Sequence, residues 1–194
     1  MSTKKIETRT KILEAAWKLL ERDLGQGVSM AEIAAAAGVS RQAVYLHFES
    51  RTELLLATTK YVDEVKGLAE RMQRFESAQS GVEALEAIID VWGNYIPEIY
   101  GIARALRSAR ETDEDAAAAW DDCMGCVREA CRATVNALAS ECRLSLDWPA
   151  EDAVAMLYSL LSIGHWEQLT LEEGWTTESY VERMKVLLFG MLVR

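Results

Sequence analysis

Residues 38–54 read GVSRQAVYLHFESRTEL, and this stretch contains a tight turn followed by the start of a short helix. Gly38 favours the left-handed backbone conformation that ends a helix, and Ser40 is a strong N-cap for the next one. Val44 and Phe48 fall on one apolar face of that helix. The stretch therefore predicts the second half of a helix-turn-helix.

The residues just upstream supply the first half of the motif. Ser29 and Glu32 have the spacing of a capping box, and Ala34 is small enough for two helices to approach closely. On the second helix, Arg41 and Gln42 come first on the exposed side. Arginine and glutamine side chains carry the donors that read guanine and adenine edges in the major groove. An ordinary helical hairpin is the alternative interpretation.

These residues resemble the TetR/AcrR family of bacterial one-component repressors. The specific part of the resemblance covers about residues 11–55, and beyond it the similarity is one of architecture. It implies an all-α fold of about nine helices. An N-terminal three-helix DNA-binding domain would span residues 1–51, and a C-terminal ligand-binding and dimerisation domain would span residues 52–194.

The resemblance also implies roles for single residues. Arg41 and Gln42 would read bases, whereas Ser29, Tyr45 and His47 would hold phosphates. Gln42 stands where many relatives have a small residue, so no operator preference is transferred. Lys4 and Lys5 would form a short arm toward the minor groove. The full set of expected DNA-binding residues is Lys5, Ser29, Ser40, Arg41, Gln42, Tyr45, His47 and Arg51.

The rest of the chain has a helical period throughout. Gly25 and Gly27 are expected to end the first helix, and Pro97 is expected to end another because proline cannot donate to the preceding turn. The pattern predicts helices over residues 51–75, 82–96, 98–110, from about 113 to 142, from about 147 to 174, and from residue 177 onward.

The N-terminal and C-terminal regions differ in net charge. The whole chain carries 21 Lys and Arg against 31 Asp and Glu, a formal net charge of −10. The first 51 residues hold eight basic and six acidic side chains (+2), and the other 143 hold 13 and 25 (−12). A uniformly acidic protein would repel a polyanion, but here the N-terminal region is able to approach phosphates.

The last two predicted helices are apolar on two faces, which favours a homodimer through them over a buried monomer helix. Two faces of the final helix are apolar, one with Tyr180, Met184, Leu187, Leu188 and Met191, and the other with Val186, Phe189 and Val193. The resemblance implies a small hydrophobic effector. Residues expected on helices that line its pocket are Trp92, Tyr95, Tyr100, Trp120, Met124, Tyr158, Ser162 and Trp166, although aromatic residues at helical spacing are more often core.

The cysteines favour core packing over the alternatives of a thiol sensor or a metal site. Cys123 and Cys126 have the spacing of a metal pair, but a stripe through Cys123, Cys131 and Cys142 is typical of core packing. No catalytic motif, cofactor site, signal peptide or membrane span is found, so we expect a cytoplasmic protein that is not an enzyme.

The sequence as a whole favours a regulator that its effector releases from a palindromic DNA operator. A ligand-independent architectural protein or activator on the same fold is the main alternative, and a helical interaction scaffold is a third.

Overall fold

A computed structural model describes the backbone of residues 3–194 and the side chains of residues 5–194. The described part of the chain is all-α, with ten α-helices and no strand beyond one isolated bridge between Leu144 and Val193. The helices are α1 Thr3–Arg22, α2 Met30–Ala37, α3 Arg41–Tyr45, α4 Arg51–Val65, α5 Leu68–Glu76, α6 Gly81–Ala109, α7 Glu114–Ser140, α8 Ala150–Leu160, α9 Ile163–Glu167 and α10 Thr177–Leu192, with a π-helical turn at Gln168–Glu172 between the last two.

The chain divides into two compact units, and neither is continuous in sequence. The first comprises residues 1–66 and 99–122, and the second comprises residues 67–98 and 123–194. In the first unit, α1 packs against α2 and α4, and α2 packs against α3. Its buried side chains include Ile12, Leu13, Leu20, Ile33, Ala34, Val44, Phe48, Leu54 and Val62.

The second unit has a core of its own. Leu157 on α8, Trp166 on α9 and Tyr180 on α10 are buried, and the Tyr180 hydroxyl donates to the carbonyl of Leu160 at 3.2 Å. Burial raises the pKa of Tyr180 above its ordinary value, so this phenol remains a neutral donor. Further buried side chains of this unit include Leu85, Ile88, Ile89, Val135, Leu138, Met184 and Leu188.

The N-terminal helix ends and caps match the sequence predictions. Gly25 and Gly27 follow α1 with φ of 74° and 69°. Ser29 and Glu32 form the complete capping box at the start of α2. Ser50 caps α4 through the backbone N–H of Glu53 at 2.9 Å, as its spacing indicates.

The predicted helix boundaries are wrong in three places. The helix expected over residues 51–75 is interrupted at Gly67, whose φ of 63° lies in the left-handed region. The one expected from about 147 to 174 breaks after Leu160, because Ser162 adopts an extended conformation and caps α9. Conversely, α6 continues through Pro97, where the prediction placed an end.

Packing explains why Pro97 does not end α6. A proline inside a helix costs about 3 kcal/mol through the lost hydrogen bond and ring contacts. Ile96 before it and Ile102 after it are almost fully buried, so tertiary packing holds both segments in one helix. The count of helices is accordingly ten in residues 3–194 rather than about nine.

Candidate nucleic-acid interface

The turn between α2 and α3 has the geometry that the sequence predicts. Gly38 adopts φ 67°, and its N–H donates to the carbonyl of Ala35 at 3.2 Å. Ser40 then caps α3 by accepting from the N–H of Ala43 at 3.1 Å. Val44 and Phe48 are fully buried beneath the motif. These buried side chains anchor the five-residue helix α3, so the side of α3 opposite Val44 faces outward.

The outward side of α3 carries the expected base readers. Arg41 and Gln42 are exposed, and Tyr45 is 41% exposed. The guanidinium carbon of Arg41 lies 5.6 Å from the centre of the Tyr45 ring. A cation at this distance from an aromatic face is attracted by it. Arg41 and Tyr45 are therefore brought together on one exposed surface.

The N-terminal end of α1 adds positive charge beside α3. Burial and the nearby charges of Lys5 and Arg9 lower the pKa of His47, in that order of importance. This shift keeps the imidazole neutral near pH 7, so His47 offers a hydrogen bond there rather than a full charge. Lys5 is exposed, whereas the predicted arm residue Lys4 lies outside the described side chains.

Arg9 is a candidate residue that the sequence interpretation missed. Its guanidinium carbon lies 5.0 Å from the centre of the buried Phe48 ring, and its charge acts on His47. Lys5 and Arg9 are four residues apart on α1, which places both on one face of that helix. That spacing was the signal that could have identified Arg9.

Two predicted phosphate contacts already have protein partners. The Ser29 hydroxyl and backbone N–H donate to the Glu32 carboxylate at 2.7 Å and 2.9 Å, and these bonds lower the pKa of Glu32. Arg51, at the start of α4, donates from Nε to the carbonyl of Val28 at 3.3 Å while its side chain remains exposed. A phosphate at Ser29 would have to compete with the Glu32 carboxylate.

The eight residues predicted to line an effector pocket do not lie in one unit. Tyr100 and Trp120 are buried in the first unit. The other six belong to the second, where Trp92 and Tyr95 contact each other edge to face, with ring centres 6.0 Å apart. Ser162 caps α9 by accepting from the N–H of His165 at 3.2 Å. Met124 and Tyr158 are half-buried, and Trp166 is buried.

The cysteine stripe is only partly core. Cys131 is buried, and burial raises the pKa of its thiol to about 12. Cys123 and Cys142 are exposed, which corrects their assignment to the core stripe. The end of α7 at Ser140 explains Cys142, because this residue lies beyond the helix with φ 55°. Among the described residues, no group of ligand side chains could hold a metal ion.

Residues 12–58 match the sequence model for the tetR family of bacterial regulatory proteins, and this range covers the motif described above. Over these residues, 47 of the 194 in the chain, the protein is similar to TetR-family regulators. The nucleoid occlusion factor SlmA from a Marinomonas strain is 32% identical over 107 residues, which are 55% of this chain. The match spans about half (53%) of the length of that curated relative.

Solved TetR-like structures show the same fold over the whole chain. A transcriptional regulator from Saccharomonospora viridis, solved in complex with choline, has a TM-score of 0.82 at 18% identity and covers 97% of this chain and 98% of its own. A second solved structure is NalD from Pseudomonas aeruginosa, the secondary repressor of the MexAB-OprM multidrug efflux pump. It has a TM-score of 0.70 at 22% identity, and the match covers 100% of this chain and 99% of NalD. Of the helices that the structure describes, none is both long and apolar enough to cross a membrane.

Proposed function

We propose that this protein is a TetR-family regulator that reads its DNA operator with α3. The observation that carries the proposal is the exposed surface of α3, where Arg41, Gln42 and Tyr45 stand on a fixed core beside the basic side chains of α1. Arginine and glutamine read base edges, and the surrounding positive charge would be attracted to phosphates.

A homodimer would present two copies of α3 to successive major grooves, about 34–36 Å apart. Exposed apolar side chains on α10 support this homodimer, since Val186 is 77% exposed and Leu187 is 46% exposed. Tyr180, Met184 and Leu188 on the inner face are buried. The inner face thus serves the core, and the outer face is the proposed interface with a second copy.

The regulator would respond to a small molecule bound in the C-terminal region. The choline complex of the Saccharomonospora viridis protein and the repressor role of NalD support this assignment to an effector-controlled repressor. An effector releases DNA only if it binds the DNA-free state more tightly than the DNA-bound state. The ratio of the effector's affinities for these two states would set the largest possible induction ratio.

Salt dependence of binding tests the DNA-binding part of the proposal. We expect the logarithm of duplex affinity to fall linearly with the logarithm of salt concentration, as measured by fluorescence anisotropy. Lys5→Ala and Arg51→Ala should each reduce the slope by about one per bound protomer, because each removes a phosphate contact. Lys60→Ala, an exposed residue of α4 outside the predicted set, is the matched control. Absence of affinity at low salt would contradict the proposal.

A second candidate function is an effector-independent role on chromosomal DNA. The similarity to a nucleoid occlusion factor favours it. The two functions predict different numbers of genomic sites occupied by the protein, and chromatin immunoprecipitation counts these sites. A repressor should occupy few promoters and leave them on addition of its effector, whereas a nucleoid-associated protein should occupy many dispersed sites.

A further inference from the structure

Two arginines of the short helix α5 form ion pairs with carboxylates of α6. None of the α5 side chains is fully buried. Nη2 of Arg71 lies 2.7 Å from Oε1 of Glu98, and Nη1 of Arg74 lies 2.8 Å from Oδ2 of Asp90. All four residues belong to the second unit. These ion pairs contribute to the position of α5, and another cation could replace an arginine in one of them.

Arg71 also contacts an aromatic face. The guanidinium carbon of Arg71 lies 5.4 Å from the centre of the Tyr95 ring. Tyr95 is completely buried, and Trp92 packs edge to face against it with ring centres 6.0 Å apart. An aromatic face next to a carboxylate is the combination that binds a weakly hydrated organic cation.

We propose that Tyr95 and Glu98 form an organic-cation site, that Arg71 occupies it in this structure, and that a small quaternary ammonium ion competes with Arg71 for it. A quaternary ammonium suits this position because the ring supplies cation–π attraction and the carboxylate supplies charge, neither of which requires an N–H donor. Only the effector role of the cation rests on the proposed function. The inference replaces the small hydrophobic effector expected from the sequence with a cationic one.

Competition has a structural consequence for α5. A bound cation would take the place of the Arg71 guanidinium and break its ion pair with Glu98. Arg74 keeps its ion pairs with Asp90 and Glu86, but its side chain is more exposed than that of Arg71, so water and salt screen these pairs more strongly. Binding would loosen α5, whose N-cap Gly67 has a left-handed φ of 63° and follows Lys66, the C-cap of α4.

Calorimetry on the full chain without DNA tests the site, with choline as the probe and 3,3-dimethyl-1-butanol as its uncharged isostere. Arg71→Ala should bind choline about tenfold more tightly than the wild type, because the internal competitor is gone. Adding Glu98→Gln to that variant should lower the affinity about tenfold or more. The uncharged alcohol should bind none of the variants measurably.

Arg74→Ala is the matched control, since it removes an arginine of the same helix that pairs with Asp90. It should leave choline affinity at the wild-type value. Arg71→Met, which retains the apolar stem of the side chain, replaces Arg71→Ala if the alanine variant unfolds. Equal choline affinity for the Arg71 and Arg74 variants, or equal binding of the alcohol, would overturn the proposal. So would the absence of choline binding to a folded Arg71 variant at about 10 mM.

Titration of a DNA duplex with the protein, with and without choline, then tests whether the cation site also controls DNA binding. Failure of DNA binding would contradict the proposed function and leave the calorimetric result standing. Choline binding that follows the variant series without changing duplex affinity would confirm the cation site and overturn its assignment as the effector site.

Discussion

Replacing Phe48 by alanine is expected to lower the free energy of unfolding by about 4 kcal/mol, which is the loss typical of a fully buried phenylalanine. Phe48 is completely buried three residues beyond the end of α3, and the guanidinium carbon of Arg9 lies 5.0 Å from the centre of its ring. Its removal leaves a cavity under the predicted recognition helix. Urea denaturation followed by circular dichroism measures the change.

The neighbouring apolar residue provides the control for this prediction. Leu46 is 74% exposed, so Leu46→Ala should change the free energy of unfolding by less than about 0.5 kcal/mol. If the two variants lost similar stability, Phe48 would not be the core of the helix-turn-helix. The assignment of the inner face of the helix-turn-helix to the protein core would then be wrong.

Replacing Gly101 by alanine is the second large effect, with an expected loss of about 3 kcal/mol from overpacking. A Cβ atom at this position would overlap the carbonyl oxygen of Leu20 and lie 2.7 Å from the Cα of Glu21. Both atoms belong to the α1 backbone, so no side-chain rotation relieves the overlap. The two helices would have to separate. Thermal unfolding monitored by circular dichroism measures the loss.

The same contact carries a pair of hydrogen bonds. The N–H groups of Gly101 and Ile102 donate to the Glu21 carboxylate at 3.2 Å and 3.4 Å. Burial raises the pKa of Glu21, and these two donors oppose that shift. Separation of the helices in Gly101→Ala would weaken both bonds, which adds to the expected loss of stability.

Gly125→Ala is the matched control for Gly101→Ala. Gly125 also lies inside a helix, and a Cβ atom there meets nothing within 4 Å. Alanine should consequently stabilise α7 by roughly 0.5–1 kcal/mol through its higher helix propensity. A Gly101→Ala variant as stable as the wild type would contradict the backbone contact between α1 and α6.

The helix-turn-helix could be predicted from sequence because its determinants are local. Gly38, Ser40 and the apolar positions Val44 and Phe48 act within a few residues of one another, and each adopts the expected conformation or burial. Caps and left-handed glycines depend on neighbouring backbone groups alone. The exposed positions of Arg41 and Gln42 follow from the same short-range pattern.

The helix breaks in the C-terminal region could not be predicted in the same way. Gly67 has the left-handed φ that interrupts a helix, whereas Pro97, the stronger breaker by propensity, lies inside α6. Burial of the residues on both sides of Pro97 decides that outcome. Such burial depends on segments distant in sequence.

Contacts between distant segments also place residues that no local pattern identifies. The Thr52 hydroxyl donates to Asp113 at 2.6 Å, and this bond lowers the pKa of Asp113. Arg71 reaches Glu98 across 27 positions of sequence. Charge distribution indicated that the N-terminal region approaches DNA, but it gave no information about these pairs. The candidate cation site therefore became visible only in three dimensions.

Selection from a pool of random duplexes tests the central claim most directly, namely that α3 reads a DNA sequence. The purified wild-type chain should enrich one sequence with two related half-sites about one helical turn apart. Arg41→Ala combined with Gln42→Ala should bind that sequence about tenfold or more weakly, because each lost base contact costs about 1–3 kcal/mol. Enrichment of the same sequence with unchanged affinity by the double variant would contradict the account.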